Sequence, residues 1–222
     1  YERHYGVSGT VMYPCRSKDV ATPAEPVTRT GKRNFCFTVV YAGTLNTSGY
    51  FPLRTIAECL ENLNGKLVIY GSLTKEEAIK KGLNRSNICV NGFLPAEQFI
   101  ERIRQEADVL FVPMHFDNKK KKQMQTSFPS KLTDYTATGL PLLIYGPPCC
   151  SAVRWAQENP GVAEVVASEN SDELGQALER LKVPQYRDRL ARVAIERGNQ
   201  LFAHTIAREQ FLTCLTREPN QI

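Results

Sequence analysis

Long hydrophobic runs are absent from this sequence of 222 residues. The longest, at positions 140–145 and 109–112, fall far short of the about 20 residues that a membrane helix needs. No secretory leader is visible, and the first residue is Tyr1, as expected of a piece cut from a longer protein. Glycine and proline number only 14 and 13, too few for a low-complexity polymer, so collagen-like and disordered chains are excluded. Cysteine is sparse, odd in number at 7 and without a Cys-x-x-Cys pair, which excludes a small disulfide scaffold. Cys36, Cys59 and Cys89 lie in apolar runs and are expected to be buried free thiols of a reducing cytoplasm. The adjacent Cys149 and Cys150 could bridge only with strain. Neither charge dominates, since 28 basic residues against 23 acidic ones leave +5. A basic stripe with interleaved aromatics is also missing, so nucleic acid is not an expected partner.

Chemistry-bearing motifs are few as well. There is no Gly-x-Gly-x-x-Gly and no Walker A loop, so neither a dehydrogenase nor an ATPase is favoured. The three histidines have no ligand spacing, His115 beside Asp117 reads as surface, and no Asp-x-Asp occurs. No metal and no cofactor is therefore expected. No Ser/His/Asp or Cys/His arrangement stands out, so no catalytic residue is named. Two Asn-x-Ser sequons, at 46–48 and 84–86, are expected to be unused.

What is present is an alternation of two periods. At about 150 residues per domain, the length suits one substantial domain plus an extra segment, and such a domain buries about 70% of its unfolded surface. Short apolar runs at 37–42, 66–70, 88–90, 108–112, 141–145 and 162–167 read as strands, most of them ended by glycine or proline. Between them lie helical stripes such as Leu53, Ile56, Ala57, Leu60 and Leu63, or Leu174, Ala177, Leu178 and Leu181. A polar helix is expected at 75–81, and others around Phe99, Ile100 and Ile103, over 129–138 and before 162. Strands alternating with helices imply crossover units and a parallel sheet buried on both faces. The fold class is therefore α/β, a doubly wound, Rossmann-like parallel sheet with a long C-terminal helix. The expected division is 1–35 as tail and linker, with a stub of strand at 11–13, then 36–184 as the ligand-binding domain and 185–222 as a helical segment. A break in the last helix is expected near Gly198. The lysines at 119–122 are expected to form a mobile loop, not a helix, over the ligand site or facing an anionic membrane surface.

Ligands of an open parallel sheet bind beyond the carboxyl ends of its strands. Those ends carry Gly43 and Thr44, Gly71 and Ser72, Gly92 and Phe93, Pro113, and Gly146. Glycine allows close backbone approach to a ligand, and a following helix start suits phosphate. The sharpest segment is 127–143, SFPSKLTDYTATGLPLL. Ser127 or Phe128 is expected at the helix cap, with Pro129 in the first turn and Ser130 beside it. Lys131 and Asp134, three apart, share a face, which allows either a diphosphate site with a sugar-hydroxyl acceptor or an ordinary surface ion pair.

This segment resembles the donor-site signature of GT-B glycosyltransferases of the large retaining family (group 1, family 4), Pro-x-Lys-Leu-x-Glu-Tyr-x-Ala-x-Gly-x-Pro. It stands here as Pro129, Lys131, Leu132, Asp134, Tyr135, Ala137, Gly139 and Pro141. The order VVYAGTL, LVIYGS, ICVNGFLP, ADVLFVP is similar too, and the match covers about 37–181. The resemblance implies the nucleotide-sugar-binding half of a two-domain hexosyltransferase-type enzyme, without a metal, whose acceptor half precedes it. UDP, GDP or ADP would be the carrier; the cytoplasm, or the inner face of the membrane, is the location expected from the free thiols and the lysine run. It implies that Lys131 holds the diphosphate, that Asp134 holds the ribose, and that Gly92, Phe93 and Leu94 flank the base. The sequence departs from the family at Thr126, where a Glu is usual, and at Thr44 and Tyr50, where Arg and Lys are usual. The charge is then left to Lys131, with Arg54 or the lysines at 119–122 as alternatives. A nucleotide-sugar epimerase of related architecture and a non-catalytic nucleotide-binding module are the competing readings.

Overall fold

The computed structural model describes residue 6 and residues 9–27, 36–45 and 50–216. The sequon at 46–48 and the extreme ends of the chain lie outside these residues. Six strands form one sheet among them: β1 (Thr38–Ala42), β2 (Lys66–Tyr70), β3 (Ile88–Asn91), β4 (Val109–Pro113), β5 (Leu142–Tyr145) and β6 (Glu164–Val166). Their order is β3-β2-β1-β4-β5-β6, and every pairing is parallel. The chain winds outward from β1 to β3, then crosses to β4 and winds the other way. The winding reverses between β1 and β4, and ligands of such sheets bind at the carboxyl ends of the strands.

Side chains alternate across the sheet and feed two separate cores. Val39 and Tyr41 of β1 point to one face, where they meet α1 (Tyr50–Asn62), α2 (Lys75–Lys80) and α7 (Ser171–Lys182). Val40 points to the other, towards α3 (Ala96–Glu106), α5 (Lys131–Tyr135) and α6 (Ser151–Glu158). Local signals fix the helix starts. Thr74 and Glu77 form a capping box on α2, with Glu77 N–H to Thr74 Oγ1 at 3.1 Å and Thr74 N–H to Glu77 Oε2 at 3.0 Å. Asn170 caps α7 by accepting from Asp172 N–H at 2.8 Å. Within the second core, Trp155 and Phe202, with Phe128 and Tyr13 packed on them, form an aromatic cluster with ring centroids 4.8–6.0 Å apart.

Four expectations are corrected. The lysines at 119–122 are helical: Asn118–Lys120 is a 3-10 turn, and α4 (Lys121–Thr126) continues it. Asp117 caps the turn through Lys119 N–H, Met124 is buried, and α6 staples the helix end. Arg154 Nη2 donates to Gln125 O at 2.5 Å, and Ser151 Oγ to Ser127 O at 2.5 Å. Second, α8 (Pro184–Phe202) runs through Gly198 unbroken, and the break comes at Ala203 before α9 (His204–Thr216). Third, 11–13 forms no strand, and 9–27 is no loose linker. Arg16 is 3% exposed, its N–H donates to Phe202 O, and Val27 N–H donates to Gly139 O. Fourth, all seven cysteines are free, but only Cys59 and Cys150 are buried. Cys89 lies on the edge strand β3, where one face is left open, and Cys36 precedes the first strand.

Candidate functional site

A cavity of about 800 Å³ opens at the carboxyl rim of the sheet, between the ends of β1 and β2, α3 and α5. Its floor is the glycine-ended strands. Gly43 N–H donates to Tyr70 O at 2.9 Å and Gly71 N–H to Gly92 O at 3.3 Å, which knits the three strand ends together. Gly43 and Gly71 have φ of +146° and +154°, and a Cβ on Gly71 would overlap the Gly43 carbonyl. Only glycine permits these two loops to lie so close.

Tyr135 fixes α5 to the end of β1. Its hydroxyl accepts from Ala42 N–H at 2.7 Å and donates to Ala42 O at 3.1 Å, while its ring stacks on Phe99 of α3. With α5 held there, Lys131 extends across the cavity floor. Its Nζ lies 3.9 Å from the ring centroid of Tyr41, beside Gly43, and the Tyr41 hydroxyl donates to Thr44 O at 3.0 Å. Among the described residues no carboxylate pairs with Lys131, and no hydrogen bond to its amine is made. Burial pushes its ammonium down to about 7. Asp134, one turn along, has its carboxyl pushed up by burial, and Arg16 opposes that shift. The phenol of Tyr70 closes a third side, donating to Glu106 Oε2 at 2.5 Å and accepting from Arg102 Nε at 3.3 Å.

Of the residues chosen from the sequence, Gly43, Thr44, Gly71, Phe93, Leu94, Ser130, Lys131 and Asp134 line this cavity. Phe93 is 73% exposed, an apolar plate at the rim. Gly92 does not line the cavity; its carbonyl accepts from Gly71 N–H at 3.3 Å. Ser72 and Ser127 do not line the cavity: Ser127 closes α4 and faces α6. The helix itself is shorter than 129–138, with Ser130 as its cap and no side-chain cap bond. Five residues make little more than one turn, so the positive potential comes from the Lys131 ammonium more than from a helix dipole. Arg54 and Tyr50 line a separate cavity of about 720 Å³ with Lys81 and His115. Sequence reasoning missed the phenols Tyr41 and Tyr70, which read as core, and Pro14, Cys15, Ser17 and Val20, which form an outer wall. Among the described residues, no three His, Cys, Asp or Glu side chains converge as metal ligands would. No described helix is long and apolar enough to cross a membrane.

The sheet order and its rim cavity define a Rossmann-like α/β unit of the kind found in GT-B glycosyltransferases. Solved structures with this fold include WaaG, a glycosyltransferase involved in lipopolysaccharide biosynthesis, at TM-score 0.64 and 16% identity over 98% of this chain and 60% of that one. The lipopolysaccharide outer core galactosyltransferase WaaB matches at TM-score 0.61 and 18% identity, over 93% of this chain and 55% of that one. Anabaena HepE, in complex with UDP-glucose, matches at TM-score 0.61 and 14% identity, over 82% of this chain and 49% of that one. The chain thus spans about half to three-fifths of the length of these structures. No family model and no curated protein matches it.

Proposed function

We propose that this chain is the donor-binding half of a two-domain, hexosyltransferase-type glycosyltransferase that takes a nucleoside diphosphate sugar. The observation that carries the reading is Lys131: an ammonium drawn out of water at the cavity floor, with no anion beside it among the described residues. A buried cation without a counter-ion is unfavourable, and a diphosphate would supply the missing charge. HepE binding UDP-glucose supports the same ligand class.

In this reading the base lies against Phe93 and Leu94, and the diphosphate lies over Gly43 and Gly71 within reach of Lys131. Asp134 accepts hydrogen bonds from the ribose hydroxyls. When the glycosidic bond to phosphate breaks, negative charge grows on the leaving diphosphate, and a fixed ammonium stabilises it. Lys131 then does without a metal what a divalent ion would do. Retention of configuration is what the motif resemblance implies, whereas a cytoplasmic location rests on the free thiols and an anionic membrane face on the like-charge run at 119–122. A non-catalytic binding module is the second reading, favoured by Thr126. Its hydroxyl is turned back onto Lys122 O at 3.1 Å, in the position where the family usually has Glu.

A thermal-shift panel of UDP, GDP, ADP and their sugars selects the base. Calorimetry on two variants then tests the site. A hydrogen bond to a charged group is worth about 1.5–3 kcal/mol, so Lys131→Ala is expected to weaken nucleoside diphosphate binding by about ten- to a hundredfold and to leave nucleoside binding unchanged. Asp134→Asn is expected to weaken both ligands by similar factors. If Lys131→Ala binds the diphosphate like the parent, the assignment fails and only the fold likeness stands.

A further inference from the structure

Segment 9–27 carries a buried cation that the donor reading leaves without a role. Arg16 Nε donates to the Thr133 carbonyl at 2.8 Å, and Nη2 donates to Thr136 Oγ1 at 2.9 Å. These acceptors lie on either side of Asp134 in sequence, at the helix that bears it. Nη1 donates to Thr22 Oγ1 at 2.9 Å and to Asn199 Oδ1 of α8 at 2.7 Å. The guanidinium therefore joins three separate pieces of chain at one point. None of its hydrogen-bond acceptors is a carboxylate, and the carboxylate whose field it feels is that of Asp134.

Gly198 gives a second, independent sign that this contact is built in. Alanine is far the better residue inside a helix, yet α8 carries glycine where Arg16 passes. A Cβ there would overlap Arg16 Nη2 and Thr136 Oγ1. The fork of a guanidinium also has no substitute here, because three of its nitrogens are aimed at different acceptors.

We propose that Arg16 is a positioning residue for donor binding: by gripping α5 through Thr133 and Thr136 and bracing it on α8, it holds Asp134 where the ribose hydroxyls are read. The proposal rests on the assignment of Asp134 as ribose ligand. Arg16 donates nothing to the ligand itself, and its effect passes through that carboxylate.

The test is a titration of uridine and UDP, or of the guanosine or adenosine pair if the panel selects it, into the full chain. The variants are Arg16→Met, Arg16→Lys, Asp134→Asn and the double variant Arg16→Met/Asp134→Asn, each held below its melting transition. Arg16→Met and Arg16→Lys are expected to weaken nucleoside and diphosphate by the same factor, about tenfold, because neither keeps the fork of donors. The double variant is expected to bind within about twofold of Asp134→Asn, as coupled neighbours do. A purely structural Arg16 would lower the melting temperature and leave uridine binding as in the parent, which overturns the proposal. Losses that multiply in the double variant overturn it too. If Arg16→Met does not fold, Arg16→Lys, which keeps the charge but not the fork of donors, decides by the affinity criterion, with Arg16→Lys/Asp134→Asn as the double variant. A parent-like Asp134→Asn overturns the ribose assignment and the proposal together, whereas a weakened Asp134→Asn beside a parent-like Arg16→Met overturns the proposal alone.

Discussion

At the scale of single residues, the site turns on an amine that has begun to lose its proton at neutral pH. Burial takes the Lys131 ammonium from 10.5 to about 7. A diphosphate favours the charged form, so its binding must take up a proton once the free amine is neutral. UDP affinity is therefore expected to fall as pH rises from 7 to 9, by up to about tenfold per unit, and the slope should vanish in Lys131→Ala. Calorimetry in buffers of different ionisation heat reads the same proton directly. A flat profile in the parent would exclude the mechanism. Stability runs the opposite way. The unfolded chain keeps this proton to about pH 10 while the folded one has lost it, so the ligand-free protein gains stability between about 7 and 10. Below 7 the penalty for burying the charge is present in full. Tyr41, under the amine, adds no charge in this window, because burial pushes its phenol well above the ordinary range.

At the scale of elements, the last strand is tied to the outer helices by one carboxylate. Glu164 of β6 is almost fully buried and accepts from Arg180 Nε at 3.1 Å and Nη2 at 2.5 Å on α7, and from the Tyr186 hydroxyl on α8. Glu164→Ala leaves those donors unmatched and is expected to cost about 3 kcal/mol, or roughly 10 °C in melting temperature. Ligand binding should be unchanged, since β6 does not line the cavity; a thermal melt and one titration check both. The sheet itself was legible from the residues. Strands such as 66–70 are apolar on both faces and stop at a glycine, and the helical stripes between them are regular. Helix α4 was not legible. Four adjacent lysines argue against a helix locally, and what fixes it, Ser151 and Arg154, comes from a later helix. The site was legible in part. Lys131 and Asp134 belong to a recognisable motif, but Tyr41 and Tyr70 cannot be told from core phenols without the sheet order. Arg16 sits in a segment with no periodicity, and its one trace in the sequence is a glycine some 180 residues away, inside a helix.

At the scale of the whole molecule, the proposed function puts a donor in the cavity beside Lys131, and the chain spans half to three-fifths of the length of its structural neighbours. An acceptor has to be placed against that donor, and placement is a large part of the barrier to group transfer. The chain alone is therefore expected to bind a nucleotide sugar and to transfer none of it. Acceptor-dependent release of nucleoside diphosphate at an ordinary enzymatic rate would overturn this. The aromatic cluster behind the cavity has a separate, practical consequence. Trp155 is the single tryptophan of the chain, and its ring touches Phe128, two residues before the cap of α5, and Phe202 at the end of α8. Tyr13, from the same segment as Arg16, packs on both of those rings. Trp155 is thus the one indole beside nine tyrosines, and excitation beyond the tyrosine absorption band reads it with no label to attach. It lies where the amino-terminal segment, the motif and the long helix meet, so its emission reports on that junction as ligand is added.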